Sequence, residues 1–245
     1  MRALSAGELL TVWELGSAQP PPQRTVTLLA AACGEDADAG EVARLTPGQS
    51  DGRLLALRER IFGRQLAATS SCPACREVLE FEIDTANIRV ASLSEPSNAI
   101  DLEDDDYEVR FRLPNQLDIA SLDPRTNIES NRQHLLDRCV VAARCAGREI
   151  SADKLPPEIV AAISDRMAQA DPQGNVELAL SCPQCGHDWT APLDVVSFLW
   201  TELNAWALRL LRDIHLLAST YGWREGEILS LSPTRRQTYL DLIQG

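Results

Sequence analysis

The spacing of apolar residues predicts helices at the start of the chain. Apolar positions recur at helical intervals over residues 9–13, and again within 26–33 and 52–62. Three consecutive prolines at 20–22 are predicted to stop any helix and to form a stiff connector. We therefore predict a small helical segment over residues 1–66.

The middle of the chain changes to a period of two. Apolar and polar residues alternate over 79–83, 107–113 and 176–180, which predicts strands because successive strand side chains point to opposite faces. Residues 126–146 and 157–169 return to helical spacing. Strands and helices are therefore mixed in this part of the chain.

The last part of the chain is predicted to be helical. One long helix runs from Asp194 to about Ser219, and Gly222 breaks it. Ser232 and Pro233 then have the residue types of an N-cap and a first helical position, which predicts a short terminal helix.

Two short cysteine motifs carry the strongest chemical signal. Cys72-Pro-Ala-Cys75 and Cys182-Pro-Gln-Cys185 are near-copies, and each is tied to a strand pattern. Two cysteines three apart in a tight turn bring both sulfurs to one side of the backbone, and two such turns supply the tetrahedral thiolate cage that Zn²⁺ prefers. We predict that these four cysteines bind a structural Zn²⁺. The alternative is two independent redox or reduced pairs.

The spacing between the motifs predicts a split ribbon. Residues 76–181 separate them, far more than in an ordinary zinc ribbon. An insertion explains this spacing, because lengthening a loop raises its closure entropy only logarithmically. The predicted fold is therefore α+β, with helical N- and C-terminal segments around a split four-cysteine zinc ribbon that carries an inserted subdomain. The predicted parts are the helical segment 1–66, the ribbon 67–90 plus 173–193, the inserted α/β subdomain 91–172 and the helical segment 194–245.

Four thiolates would fill the coordination shell of the metal. Such a zinc holds a fold together and has no open position for Lewis-acid chemistry. His187 lies two residues after Cys185 and is expected to stay outside the ligand set, beside the site or exposed to solvent. The remaining cysteines, Cys33, Cys139 and Cys145, are predicted to be buried thiols on apolar helical faces.

The sequence contains no familiar catalytic motif. It has no dinucleotide-binding or phosphate-binding glycine loop, no nucleophile elbow and no zinc-protease helix. His134 and His215 both lie in helical, apolar surroundings, where a surface or core position is expected more often than a general base. We predict that the protein is not an enzyme.

The charge balance limits the classes of partner that the protein is expected to bind. The 245 residues include 23 Lys plus Arg and 36 Asp plus Glu, for a net charge of −13. Binding to nucleic acid requires clustered basic residues, so this balance disfavours it. The acidic run 101–106 is predicted to be a solvated loop. No signal peptide and no apolar stretch of about 18 residues is evident, so we expect a cytoplasmic protein without a membrane span.

The long C-terminal helix is apolar around more than half its circumference. A helix of this kind must be covered by protein. Its aromatic residues either pack against the N-terminal helices or form part of a docking surface, because aromatic anchors favour interfaces. The candidate partner-binding residues are Trp200, Trp206, Tyr221 and Trp223.

Several of these segments together resemble a known family. The cysteine motifs combine with Leu10-Thr-Val-Trp13-Glu, with Phe198-Leu-Trp200, and with a tail in which Tyr221-Gly-Trp223 precedes Ser232-Pro-Thr-Arg-Arg236. In this combination the sequence resembles the T-even-phage-like baseplate hub assembly chaperones of contractile phages and bacterial contractile injection systems. The resemblance spans most of the chain and is loosest over residues 91–172.

The resemblance implies a non-catalytic role in assembly. The protein would hold or deliver a hub, spike or tape-measure component of a contractile tail, or form a structural part of the hub, through protein–protein contact. The alternative reading is a zinc-ribbon accessory factor that binds nucleic acid or the transcription machinery. That reading requires a basic face.

Overall fold

A computed structural model describes residues 1–34, 39–90 and 99–244. The helices, α1 to α10 in chain order, are Ala6–Ser17, Pro21–Cys33, Ala39–Ala43, Pro47–Phe62, Gln116–Ala120, Ile128–Cys139, Pro157–Ala170, Val195–Tyr221, Glu225–Ser230 and Pro233–Gln244. The strands, β1 to β8, are Gln65–Ser71, Val78–Asp84, Ile100–Asp104, Tyr107–Phe111, Val140–Cys145, Arg148–Glu149, Glu177–Ser181 and Asp188–Pro192.

In the described ranges, the strands form three separate antiparallel sheets. β1 pairs with β2 and β7 pairs with β8, so each cysteine motif lies at the turn of its own hairpin. Between these hairpins in the chain, β3 to β6 form a four-stranded sheet in sequential order. A mixed helix and sheet architecture is therefore confirmed.

The N-terminal helices and the start of α8 share one apolar core. Leu28, Leu54 and Leu57 are fully buried there, together with Leu203 of α8. Burying one such side chain contributes about 2–3 kcal/mol. Side chains cap the N-termini of two of these helices. Ser5 and Glu8 form a capping box at α1, and Thr46 and Gln49 form one at α4. The core therefore joins sequence segments that lie far apart.

The described residues form two further cores. The four-stranded sheet packs its inner face, including Val109 and Phe111, against Ile163 of α7. The second half of α8 packs against α9 and α10 around Leu217 and Ile228. α8 thus contributes to two cores and joins the N-terminal helices to the C-terminal ones. No helix in the described ranges is both long enough and apolar enough to cross a bilayer.

Two predictions about helix boundaries were wrong. The prolines at 20–22 follow the end of α1 at Ser17, but they do not form a connector, because α2 begins at Pro21. Proline has its φ preset for the first turn, where its missing N–H is not required. For the same reason α4 begins at Pro47, ahead of the predicted start at 52, with Thr46 as its N-cap.

Two predictions in the middle of the chain were also wrong. Residues 126–146 do not form one helix, because α6 ends at Cys139 and β5 follows at once between β4 and β6. The acidic run is not a loop throughout, because β3 extends to Asp104 and buries Leu102 on the inner face of the sheet. The alternation of apolar and acidic residues favours a strand here, because it places the apolar side chains on one face of the sheet.

The division of the chain into a ribbon and an inserted subdomain stays a prediction. All members of the core beside the four-stranded sheet lie between Ile100 and Met167, as an insertion would require. This region nevertheless contacts α4, where Gln116 Nε2 donates a hydrogen bond to Ser50 Oγ at 2.9 Å. Residues 91–98, at the predicted start of the insertion, lie outside the described residues.

Two glycines of α1 offer a matched test of the first core. A Cβ added at Gly16 would overlap the Trp200 ring, whereas one added at Gly7 would meet only Leu229 Cδ1 at 3.9 Å. We expect Gly16→Ala to lower the stability by about 1–3 kcal/mol through overpacking. Gly7→Ala should be neutral or should raise it by up to about 1 kcal/mol, because alanine favours helix. Urea unfolding of both variants checks this, and equal effects would contradict the close packing of Trp200 on α1.

Candidate metal centre and partner-binding residues

The two cysteine motifs have the same backbone geometry. In the first turn, the Cys72 N–H donates to the Glu77 carbonyl at 2.8 Å and the Arg76 N–H donates to the Cys72 carbonyl at 2.9 Å. In the second, the equivalent bonds run from Cys182 to the His187 carbonyl and from Gly186 to the Cys182 carbonyl, both at 2.9 Å. The two hairpins are therefore structural repeats, as the near-copied sequences indicate.

The hairpins bring all four predicted ligands together. The Cys72 and Cys185 sulfurs are 3.7 Å apart, and the Cys75 and Cys182 sulfurs are 3.5 Å apart. All four sulfurs lie within 4.8 Å of one another. A tetrahedron of thiolates at a Zn–S distance near 2.3 Å places its sulfurs about 3.8 Å apart. The cluster could therefore hold a metal ion of this size.

The sulfur spacing argues against disulfides. A disulfide bond is about 2.05 Å long, and all four cysteines are free. The contacts of 3.7 and 3.5 Å each join one motif to the other, whereas two independent redox pairs would require a bond only between cysteines within a motif. The geometry favours a shared centre over the alternative of two separate pairs.

The thiols are electrostatically coupled. Burial acts to raise the pKa of Cys72, but backbone hydrogen bonds from Cys75 and Ala74 outweigh it and lower that pKa to about 6. A backbone hydrogen bond at Glu77 acts to lower the pKa of Cys75, yet burial and the neighbouring sulfurs raise it to about 12. The neighbouring sulfurs thus favour ionisation of Cys72 and oppose ionisation of Cys75. A bound cation would remove this opposition, because thiolate is the form that binds metal.

One side of the centre faces the protein and the other faces solvent. Cys72 and Cys182 are buried, and Cys75 and Cys185 are exposed. His187 is exposed and stacks on Trp189 with a centroid separation of 6.1 Å. The described cluster of metal-binding side chains contains the four cysteines and not His187.

The remaining cysteines and histidines lie outside the cluster. Cys139 is buried, as predicted, but Cys33 and Cys145 are only half-buried. Cys145 is also not helical, because it ends β5. His134 and His215 are both exposed on helices. His134 shares a hydrogen bond of 3.0 Å with Ser121 Oγ.

An ion pair that the sequence did not reveal anchors the first hairpin. Arg58 of α4 is 3% exposed and donates to both carboxylate oxygens of Glu202 on α8, at 2.7 and 2.9 Å. The same guanidinium donates to the carbonyls of Gly63 and Gln65, where β1 begins. Arg58 therefore holds the start of the hairpin against two helices. No local pattern signals a partner that lies 144 positions away.

The candidate partner-binding residues differ in accessibility. Trp200 is 8% exposed and packs within the first core, with the Arg24 guanidinium 4.6 Å from its ring centre. Trp206 is half-buried between two cores. Tyr221 is exposed and stacks on Trp223 at 4.7 Å. Their role in partner binding stays a prediction, and Trp200 is the least accessible of the four.

The first turn contains a strained residue that its repeat avoids. Arg76 has φ 65°, and its counterpart Gly186 has φ 72°. A residue with a Cβ loses roughly 1 kcal/mol in this left-handed conformation, whereas glycine does not. We expect Arg76→Gly to raise the midpoint of thermal unfolding slightly and to retain bound metal. Gly186→Arg should lower it, and calorimetry of the two variants checks the sign. A stabilising Gly186→Arg would contradict the repeat geometry.

The fold and the cysteine cluster define an α+β protein with two hairpins joined at a potential metal centre. A family model described as T4 bacteriophage base plate protein matches residues 8–200, which include both hairpins and all four cysteines. The chain belongs to this family. The predicted resemblance to baseplate proteins is thereby confirmed, and membership indicates a structural or assembly role in a phage-type baseplate. No curated protein and no solved structure matches the chain significantly.

Proposed function

We propose that the chain is a zinc-stabilised, non-catalytic assembly factor or structural component for the baseplate hub of a contractile phage tail or related injection system. The match to the baseplate family over residues 8–200 carries this proposal. The four-sulfur cluster supports a structural role for the metal, because four thiolates leave no coordination position for a substrate.

The proposed partners are hub, spike or tape-measure proteins in the cytoplasm of the producing cell. The net charge of −13 supports contact with basic surfaces of such proteins and disfavours nucleic acid. The C-terminal part of α8 and the helices α9 and α10 lie beyond the family match, so they are the place to look for features particular to this chain.

Co-purification tests the proposal. The tagged chain would be recovered from cells that express the complete tail cluster, and the bound proteins would be identified by mass spectrometry. We expect hub, spike or tape-measure proteins to be enriched over sheath and tube proteins. Cys33→Ser, which leaves the centre intact, is the matched control for Cys182→Ser, which should lose these partners. Recovery of nucleic acid or RNA polymerase without tail proteins would instead favour the accessory-factor reading.

A further inference from the structure

A pocket of about 360 Å³ lies between the second half of α8 and the start of α10 and is open to solvent. Arg209 and Arg212 of α8 and Arg236 of α10 line it, together with Asp213. Three cations against one carboxylate make this pocket positive on a chain whose net charge is −13. The pocket is therefore a local positive region on an acidic protein.

Arg236 is the unusual member of this group. It is only 9% exposed, yet its side chain makes no hydrogen bond or ion pair with any other residue that the structure describes. Burial raises the pKa of Asp213, and Arg236 and Arg209 lower it only in part. Asp213 is therefore near Arg236 without being its ion-pair partner. No buried side-chain nitrogen among the described residues lacks a hydrogen-bond partner, so the guanidinium N–H groups of Arg236 reach the solvent of the pocket while the rest of the side chain is buried. They are therefore free to donate to a ligand.

The helix that carries Arg236 increases the positive potential. Arg235 and Arg236 are the third and fourth residues of α10, and the first turn contains no acidic residue. Cations at a helix N-terminus are unfavourable because the helix dipole is positive there. The same dipole attracts an anion in the adjoining pocket.

The lining also indicates which kind of anion fits. The Trp206 ring and Leu210 supply an apolar wall beside the arginines. Asp213 within the pocket disfavours a doubly charged phosphate more than a single carboxylate, and the charge of the whole chain disfavours a polyanion. An acidic side chain flanked by apolar residues matches both features.

We propose that the pocket between α8 and α10 binds a carboxylate side chain of an acidic–apolar peptide segment in a partner protein, with Arg236 as the principal donor. Its fork of N–H groups can bind a carboxylate through two parallel hydrogen bonds. Trp206, half-buried, contacts the apolar neighbours of that carboxylate. The assignment does not depend on the baseplate role, because it can be measured on the isolated chain.

The test is a titration with the capped peptide acetyl-Leu-Glu-Leu-Glu-amide at low ionic strength. The indole N–H signal of Trp206 in ¹H–¹⁵N spectra reports binding at the pocket itself. We expect saturable shifts with the glutamate peptide, and none with the same peptide carrying glutamine. Inorganic phosphate forms a third arm, and a Trp206 response to phosphate but not to the glutamate peptide would overturn the carboxylate assignment.

Substitutions separate the proposed role of Arg236 from a structural one. Arg236→Met should weaken peptide binding by about tenfold or more, because charge-assisted hydrogen bonds are lost. It should leave the melting temperature within about 2 °C of the wild type, because methionine keeps most of the buried stem and no hydrogen bond or ion pair among the described residues is lost. Arg166→Met on α7 removes an exposed arginine that also has no hydrogen bond or ion pair with the described part of the chain, and it should change neither. Arg236→Lys keeps the charge and a long stem but lacks the fork, and should bind more weakly than wild type. Binding of wild-type strength by Arg236→Met would refute the proposal.

Discussion

Replacing Cys182 with serine is expected to abolish stable metal binding and to unfold both hairpins. Cys182 is buried, and its sulfur lies 3.5 Å from that of Cys75 in the other hairpin. The two hairpins share no sheet, so coordination to the proposed zinc is the main connection between their turns. Apparent zinc-binding free energies in small metal-dependent folds are about 10–16 kcal/mol, so losing one of four ligands removes a large stabilising term.

Three measurements check the expected loss of stability and of metal in Cys182→Ser. A loss of about 4 kcal/mol would lower the melting temperature by roughly 8–16 °C for a chain of this size. Mass spectrometry under native conditions should show one zinc in the wild type and none in Cys182→Ser. Limited proteolysis should produce new cuts within β1–β2 and β7–β8, since unfolded hairpins expose their backbone.

Controls distinguish loss of metal from loss of a buried thiol. Cys33→Ser changes a half-buried cysteine outside the cluster and should retain zinc. Its free energy of unfolding should stay within about 1 kcal/mol of the wild type. Chelation of the wild type at neutral pH should reproduce the proteolytic pattern of Cys182→Ser. An unchanged melting curve after complete removal of metal would show that the centre is not structural.

The local parts of this architecture could be predicted from sequence because their causes are local. The near-copied motifs indicated the candidate metal ligands, and the structure brings all four sulfurs together. The break at Gly222 follows from its left-handed conformation at the end of α8. Periodicity also found the strands β2, β4 and β7, whose apolar residues alternate over at least five positions.

The errors arose where distant contacts or proline decided the outcome. β5 follows α6 without a break, and its place between β4 and β6 cannot be read from a six-residue window. β1 was missed because its sequence, Gln65–Ser71, is rich in small residues. The ion pair from Arg58 and the absence of a described partner for Arg236 were missed because burial of a single arginine leaves no sequence pattern. The sites that set packing between segments were therefore the least predictable.

Asp118 is expected to be the most stabilising ionic side chain among the described residues of the four-stranded-sheet region. It is 0% exposed and accepts hydrogen bonds from Arg112 Nη1 at 2.5 Å and from Arg138 Nε at 2.7 Å. It also accepts from the Asn115 N–H at the start of α5. The carboxylate therefore joins the end of β4, α5 and the end of α6.

Asp118→Asn should lower the free energy of unfolding by about 3 kcal/mol at neutral pH. Removing one partner of a buried ion pair typically costs about 3–5 kcal/mol, and the lower end applies because Arg112 and Arg138 remain partly exposed. Asp101→Asn is the matched control, since Asp101 pairs with Arg110 in the same region but both side chains are more than half exposed. That variant should lose less than about 1 kcal/mol. Equal losses in urea unfolding would contradict the role of burial.

The pKa of Asp118 determines how its stabilising contribution changes with pH. Burial acts to raise the pKa of Asp118, but hydrogen bonds from Arg112, Asn115 and Arg138 outweigh it and lower the pKa from 3.8 to about 2. An acid whose pKa is lower in the folded state stabilises that state above its unfolded pKa, and the contribution is lost as the pH falls through the folded value. The stability difference between wild type and Asp118→Asn should therefore be constant above about pH 5 and shrink between about pH 4 and 2. A difference that stayed constant down to pH 2 would show that packing of the side chain, and not its charge, holds these three elements together.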